Sequence, residues 1–275
     1  MSIRLEGRLA LAAAALCLFT AGASFALDPS LPPSGNFDLT HWYLTLPSAE
    51  IVDPITLSNG YALADVFYTD PKSGGMTFRC PNLAGTTTNA HYSRTELREV
   101  LNPLDSSYTD ASNNWTTAIG GRLKARLRVD RVSTTGDSSQ VGRVVIGQIH
   151  GPSSDSAIRL YYSMKPWEAK GRIYAAVGST SGVTTSSTDI VTNNNGDGIA
   201  LGELFTYVIQ LEDTRLQVDI LRNQGTLVNT YIGYIDPAYR GLNLYFKAGV
   251  YNQNNTGTTS DYAQATFYSL THTHP

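Results

Sequence analysis

The chain has 275 residues, of which 41% are hydrophobic and only 16% charged, with 24 Gly, 12 Pro and 16 Tyr, and it carries a formal net charge of −3. A charge so near neutral excludes a global basic field of the kind that gathers nucleic acid, so attraction to any polyanion has to come from a local cluster of cations. Two cysteines make no disulfide framework, and no heptad, internal repeat or long linker divides the chain.

Residues 1–26 open with Arg4 and Arg8, continue as an apolar run from Leu9 to Phe19, and end Ser24-Phe25-Ala26, with small residues where a signal peptidase reads. This is the pattern of a secretory signal peptide. The expected mature protein is secreted, extracellular or periplasmic. Its apolar leader is too short to span a bilayer comfortably, and no later run approaches ~20 apolar residues, so the mature form has no membrane partner. A lipid anchor on Cys17 is disfavoured because Leu16 precedes it where a small residue is needed. Cys80 is then alone and reads as a small buried hydrophobe. Residues 27–275 are expected to form a single domain and a monomer, within the size range of one β-sandwich or barrel.

Leu27 to Gly35 is a proline-rich lead-in, Trp42 to Pro47 a short strand, and Tyr61 to Phe67 either a strand or one turn of helix. Met76 to Pro81 is another strand. Gly85 to Ala90 is a loop expected to overhang a site. In His91 to Glu99, period two puts Arg94, Glu96 and Arg98 on one face. Two guanidinium forks can grip an acidic substrate while Glu96 holds them in position; the competing reading is a salt-bridged exterior strand. Gly121 to Val132 alternates Leu123, Ala125, Leu127 and Val129 with Lys124, Arg126, Arg128 and Asp130, and its charged half is expected to be a solvated face. Val144 to Gly151 is an apolar run that shows Gln148 and His150 on one face before Gly151-Pro152 ends it.

Ile158 to Met164 and Arg172 to Val177 are strands, whereas Thr184 to Gly198 is expected to be a polar loop whose Asn193 to Gly198 end is turn chemistry, lacking the carboxylates of a calcium site. Phe205 to Leu211 and Leu216 to Leu221 form a hairpin. Tyr245 to Gln253 is the most informative stretch: Phe246, Ala248 and Val250 face a core, while Tyr245, Lys247, Gly249, Tyr251 and Gln253 face outward. Gly249 lets something approach the backbone there. A solvated outer face is the plain alternative. Ala263 to Leu270 is the last strand, with His272 and His274 in a frayed tail, and two ligands make no structural metal site. Many short strands with turn residues between them, and no alternating helices, argue two packed antiparallel sheets.

Arg94-Thr95-Glu96-Leu97-Arg98, Gln148-Ile149-His150 and Tyr245 to Gln253 resemble, in order and separation, the three signature motifs of the alginate lyases of polysaccharide lyase family 7, over about His41 to Phe267. The resemblance implies an all-β fold, a β-jelly roll sandwich of two antiparallel sheets with a concave substrate groove, and a lyase that cleaves the 1,4-bond of alginate by β-elimination, leaving a 4,5-unsaturated uronate. Arg94 and Gln148 correspond to the pair that clamps the C5 carboxylate, and His150 and Tyr251 to the base and acid. For guluronate the family implies His as base; for mannuronate, Tyr in both roles. Arg98, Tyr245, Lys247 and Gln253 carry over as subsite groups, with Glu96 as their orienting carboxylate. No metal or other cofactor is expected, because Arg supplies the neutralising charge. In the family, Ile at position 149 goes with acceptance of guluronate-containing blocks, although one methylene can tune a pocket by only ~1 kcal/mol. An open groove favours internal cutting.

Three alternatives compete. A glycoside hydrolase needs two carboxylates facing across a cleft, and Glu96 and Glu99 lie at odd spacing on opposite faces. A lyase acting on another polyuronate such as glucuronan keeps the chemistry and changes the sugar. A noncatalytic binding module uses the aromatics and arginines without His150 or Tyr251.

Overall fold

A computed structural model describes residues 26–152, 156–222 and 225–275. The expected leader and Cys17 lie outside the described residues, apart from Ala26. Two short helices, α1 (Pro33–Asn36) and α2 (Pro54–Ser58), precede or interrupt the first strands, and Asp53 caps α2 by accepting from the Ile55 and Thr56 amides. The rest is β. The first six strands are β1 (Trp42–Thr45), β2 (Ile51–Val52), β3 (Phe67–Thr69), β4 (Met76–Pro81), β5 (Arg94–Glu99) and β6 (Trp115–Thr116). The long central strands follow: β7 (Gly121–Arg131), β8 (Arg143–His150), β9 (Ser156–Ser163), β10 (Arg172–Gly178) and β11 (Thr184–Val191). The chain closes with β12 (Phe205–Glu212), β13 (Arg215–Arg222), β14 (Thr226–Tyr234), β15 (Asn243–Asn252) and β16 (Tyr262–Thr273).

They make two antiparallel sheets. One runs β11-β10-β9-β8-β15-β5-β1-β2, with β6 beside β15; the other runs β14-β13-β12-β7-β16-β4-β3. Alternation sends one face of each sheet into a shared core. Phe246, Ala248 and Val250 from β15 meet Leu123, Ala125 and Leu127 from β7 within one continuous buried cluster. Cys80 is buried in it, as expected, and burial pushes its thiol well above the usual range. Gly147 marks the closest approach of the layers: a Cβ there would lie 2.8 Å from the Tyr207 ring, whose hydroxyl donates to the Ile146 carbonyl at 2.9 Å. The charged half of β7 faces outward, with Lys124 exposed and Arg128 paired to Asp130 at its side.

Three expectations change. Thr184 to Gly198 is not a loop throughout, since Thr184–Val191 is strand β11 at the sheet edge. Pairing with β10 satisfies its backbone on one side and leaves Thr184 to Asp189 exposed, so no burial alternation marks it as a strand. Tyr61 to Phe67 forms only a bridge, Leu63 to Phe67, before β3. His272 and His274 are not in a frayed tail. β16 carries His272 opposite Leu123 of β7, and both histidines reach Glu99, which is buried between the sheets. Glu99 accepts from Trp115 Nε1 at 2.7 Å, from the Phe246 amide at 3.0 Å and from His274 Nε2 at 2.7 Å. The other His274 nitrogen meets the Gly120 carbonyl at 2.7 Å. With acceptors on both nitrogens, that ring is an imidazolium. Burial opposes the charge, yet the Glu99 carboxylate prevails and the pKa of His274 is raised.

Candidate active site

The outward face of the first sheet gathers the polar positions of five adjacent strands. Cross-strand register sets Tyr43 of β1 opposite Arg98 of β5, Arg98 opposite Lys247 of β15, Lys247 opposite Gln148 of β8, and Gln148 opposite Arg159 of β9. His150 stands opposite Tyr245, and Tyr251 opposite Arg94. Above this surface lies a cleft of about 500 Å³, bordered also by Thr87, Thr88, Asn89 and Ala90 of the overhanging loop. Arg94, Arg98, Gln148, His150, Tyr245, Lys247 and Tyr251 all line it.

Glu96 lies beneath the cleft, fully buried, and ties the floor together. One carboxylate oxygen receives Lys247 Nζ at 2.5 Å and Arg94 Nη1 at 3.3 Å; the other receives Gln148 Nε2 at 2.5 Å. A buried carboxylate with two cations and an amide donor has its charge compensated. The expected role of Glu96 holds for Arg94 but not for Arg98, whose guanidinium lies 3.8 Å over the Tyr245 ring and 5.2 Å from that of Tyr43. Arg98 donates instead to the Asn114 amide oxygen. Arg94 Nε and Arg98 Nε and Nη1 are desolvated with no acceptor among the described residues, a demand that an anionic oxygen in the cleft would meet. Burial, reinforced by Arg94 and opposed by Glu96, pulls the Lys247 ammonium below its ordinary pKa.

His150 Nδ1 is 2.8 Å from the Gly151 carbonyl and 3.0 Å from the Tyr245 hydroxyl. A carbonyl can only accept, so the network assigns the proton to Nδ1 and leaves Nε2 with its lone pair. The rings of His150 and Tyr245 stack at 5.2 Å, which fixes the imidazole plane. Burial first, then Lys247, Arg94 and Arg159, hold the His150 pKa well below its usual value, so the ring is neutral near pH 7. Tyr251 lies with its ring 4.0 Å beneath the Arg94 guanidinium. Burial raises its phenol pKa against the pull of Arg94, so the hydroxyl keeps its proton. The floor thus presents a lone-pair base, a protonated acid and unpaired guanidinium donors in one cleft, the set needed for proton abstraction beside a carboxylate.

Gln253 is not among the lining residues. It is buried past the end of β15, where its amide oxygen accepts from the Tyr161 hydroxyl at 3.3 Å. Arg159, Ser156 and Tyr43 line the cleft and escaped the sequence reading. Arg159 and Tyr161 are the outward positions of Ile158 to Tyr161, a visible alternation, but only the β8–β9 pairing puts Arg159 beside Gln148 and Tyr161 beside Val145. Ser156 Oγ donates to Gln148 Oε1 at 3.1 Å and so holds the amide with its NH₂ toward Glu96. Among the described residues no cluster of three or more His, Cys, Asp or Glu could hold a metal ion.

A family model described as alginate lyase matches residues 37–274. A curated alginate lyase of Klebsiella pneumoniae is 37% identical over 95% of this chain and 96% of its own length. The crystal structure of the alginate lyase from that organism superposes with a TM-score of 0.81, covering 89% of this chain and 99% of the other. The family 7 alginate lyase A1-II′, in a variant captured with a product GGG, is 30% identical with a TM-score of 0.72, over 90% of this chain and 100% of the other. The same enzyme has also been captured with a substrate, GGMG.

Proposed function

Because the chain belongs to the alginate lyase family and is a polysaccharide lyase, we propose that it cleaves alginate by β-elimination, internally and with acceptance of guluronate-containing blocks. The observation that carries this reading is the Glu96 hub, which holds Arg94, Lys247 and Gln148 on one floor beside a neutral His150 and a protonated Tyr251.

The hydrogen on C5 of a uronate is acidic only when the adjacent carboxylate is neutralised. Arg94 and the second N–H of the Gln148 amide, the first being given to Glu96, face the position for that carboxylate and stabilise the enolate-like charge that develops on it. His150 Nε2 takes the C5 proton. The electron pair left behind forms the C4=C5 bond as the C4–O4 bond breaks, and Tyr251 gives its proton to the departing O4. A group with its pKa held low suits proton removal near neutrality, and one with its pKa held high suits protonation. Arg98, Lys247 and Tyr245 serve neighbouring subsites. Ile149 points into the core beneath this floor, so its influence on sugar preference acts through the placement of Gln148 and His150. The cleft is lined beyond the catalytic groups by Tyr43, Thr45 and Ile51 on one side and by Ser156 and Arg159 on the other, which supports internal cutting. After removal of the leader, residues 27–275 act as one exported, monomeric catalytic domain.

The test is to follow ultraviolet absorbance of the unsaturated product on polyguluronate, polymannuronate and polyglucuronate, and to size the products. We expect turnover on the first two, fastest on guluronate-containing polymer, with a ladder of oligomers appearing early. Tyr251→Phe and Arg94→Ala should each lower kcat by at least 10³-fold while keeping the fold. Near-normal turnover in either variant, or a preference for polyglucuronate, would contradict the reading.

A further inference from the structure

The four cations of the cleft fall into two classes. Arg94 and Lys247 share the carboxylate of Glu96. Arg98 and Arg159 have no carboxylate partner among the described residues, although both line the cleft. They stand at opposite ends of one row across the sheet, Arg98–Lys247–Gln148–Arg159, each residue directly opposite the next. Three strand steps separate the end members, about 14 Å at ordinary strand spacing, which is longer than one sugar ring. Beyond Arg159 the row continues to Ala176 of β10, a small side chain.

We propose that Arg159 is a substrate-binding, specificity-determining residue that grips the carboxylate of a sugar on the far side of the scissile linkage from Arg98, so that the row reads acidic residues on both flanks of the bond broken. This rests on the lyase reading above. A guanidinium kept charged at every working pH, in a cleft and with no carboxylate partner among the described residues, attracts a carboxylate in a planar, bidentate geometry. Arg159 stands two residues before Tyr161 on β9, whose cluster Tyr251 packs against, and directly opposite Gln148, so it borders the reacting centre from the β9 side. An uncharged polysaccharide would satisfy neither end of the row.

The experiment compares wild type, Arg159→Ala and Arg159→Lys on oligouronates of increasing length and on the polymer, with unsaturated product followed by absorbance. For Arg159→Ala we expect KM on the polymer to rise about tenfold, more than kcat falls, and the defect to disappear on the shortest oligomers still cleaved. Arg159→Lys should recover part of the loss. A KM penalty equal at every length, or a loss confined to kcat, overturns the assignment, because the residue would then act through Tyr251 or the fold. Calorimetric titration of polymer into wild type and Arg159→Ala separates the two readings. If the wild type yields no unsaturated product the lyase reading falls, while weaker binding by the Ala variant still supports the Arg159 contact and equal binding overturns it.

Discussion

Glu96 is not among the residues lining the cleft, yet Arg94, Lys247 and Gln148 on its floor are positioned through it. Glu96→Gln would keep the shape and remove the charge, leaving Arg94 and Lys247 buried against each other. Breaking a buried ion pair from one side costs about 3–5 kcal/mol, so we expect a matching loss in denaturant unfolding together with a collapse of kcat. The pH profile is a second residue-scale test. The His150 pKa is held down by burial and then by Lys247, so the acid limb of kcat/KM should lie below the usual imidazole value. Lys247→Gln removes that neighbouring charge, and the limb should move to higher pH even as overall activity falls. Period two made Arg94, Gln148, Lys247 and Tyr251 legible from the chain alone, because each is the polar half of an alternating run. That Glu96 serves Lys247 came only with the resemblance, and that it leaves Arg98 to two tyrosines was not legible. Which side chain a buried carboxylate meets depends on cross-strand register, which the local pattern does not contain.

Strand β15 is the element on which the site depends, since it lies between β8 and β5 and supplies Tyr245, Lys247 and Tyr251. Gly249 lets it approach β5. Its φ is +140°, and a Cβ there would lie 2.7 Å from the Thr95 carbonyl and 2.9 Å from Glu96 Cα. The group that comes close to the glycine is therefore the neighbouring backbone. Gly249→Ala should push the two strands apart, lower the melting temperature by several degrees and reduce kcat at least tenfold, as read by calorimetry and kinetics. Central strands announced themselves through one buried and one polar face. Edge strands did not: β11 and β14 are exposed on most positions, and pairing on one side is enough to order them.

At the scale of the whole molecule, strand order was beyond sequence reading. β15 inserts between strands that precede it by roughly a hundred residues or more, and only the family resemblance suggested that the three motifs converge. The two sheets are joined behind the site by Glu99, His272 and His274. The pKa of His274 is raised in the folded state, so its stabilising effect is complete below the unfolded value near 6.5 and is lost as pH rises through the folded pKa. Although burial opposes it, the Glu99 pKa is lowered by the two histidines, so its contribution is lost as pH falls through its own folded pKa. Melting temperature should thus peak at mildly acid to neutral pH, and His274→Ala should lower the peak and flatten the alkaline slope. Cys80 is the one cysteine among the described residues, sealed in the core with no partner. The fold of residues 27–275 accordingly calls for no oxidising compartment: produced from residue 27 in a reducing host cytosol, it should reach the same active state, and millimolar thiol reductant in storage buffer should leave it unharmed.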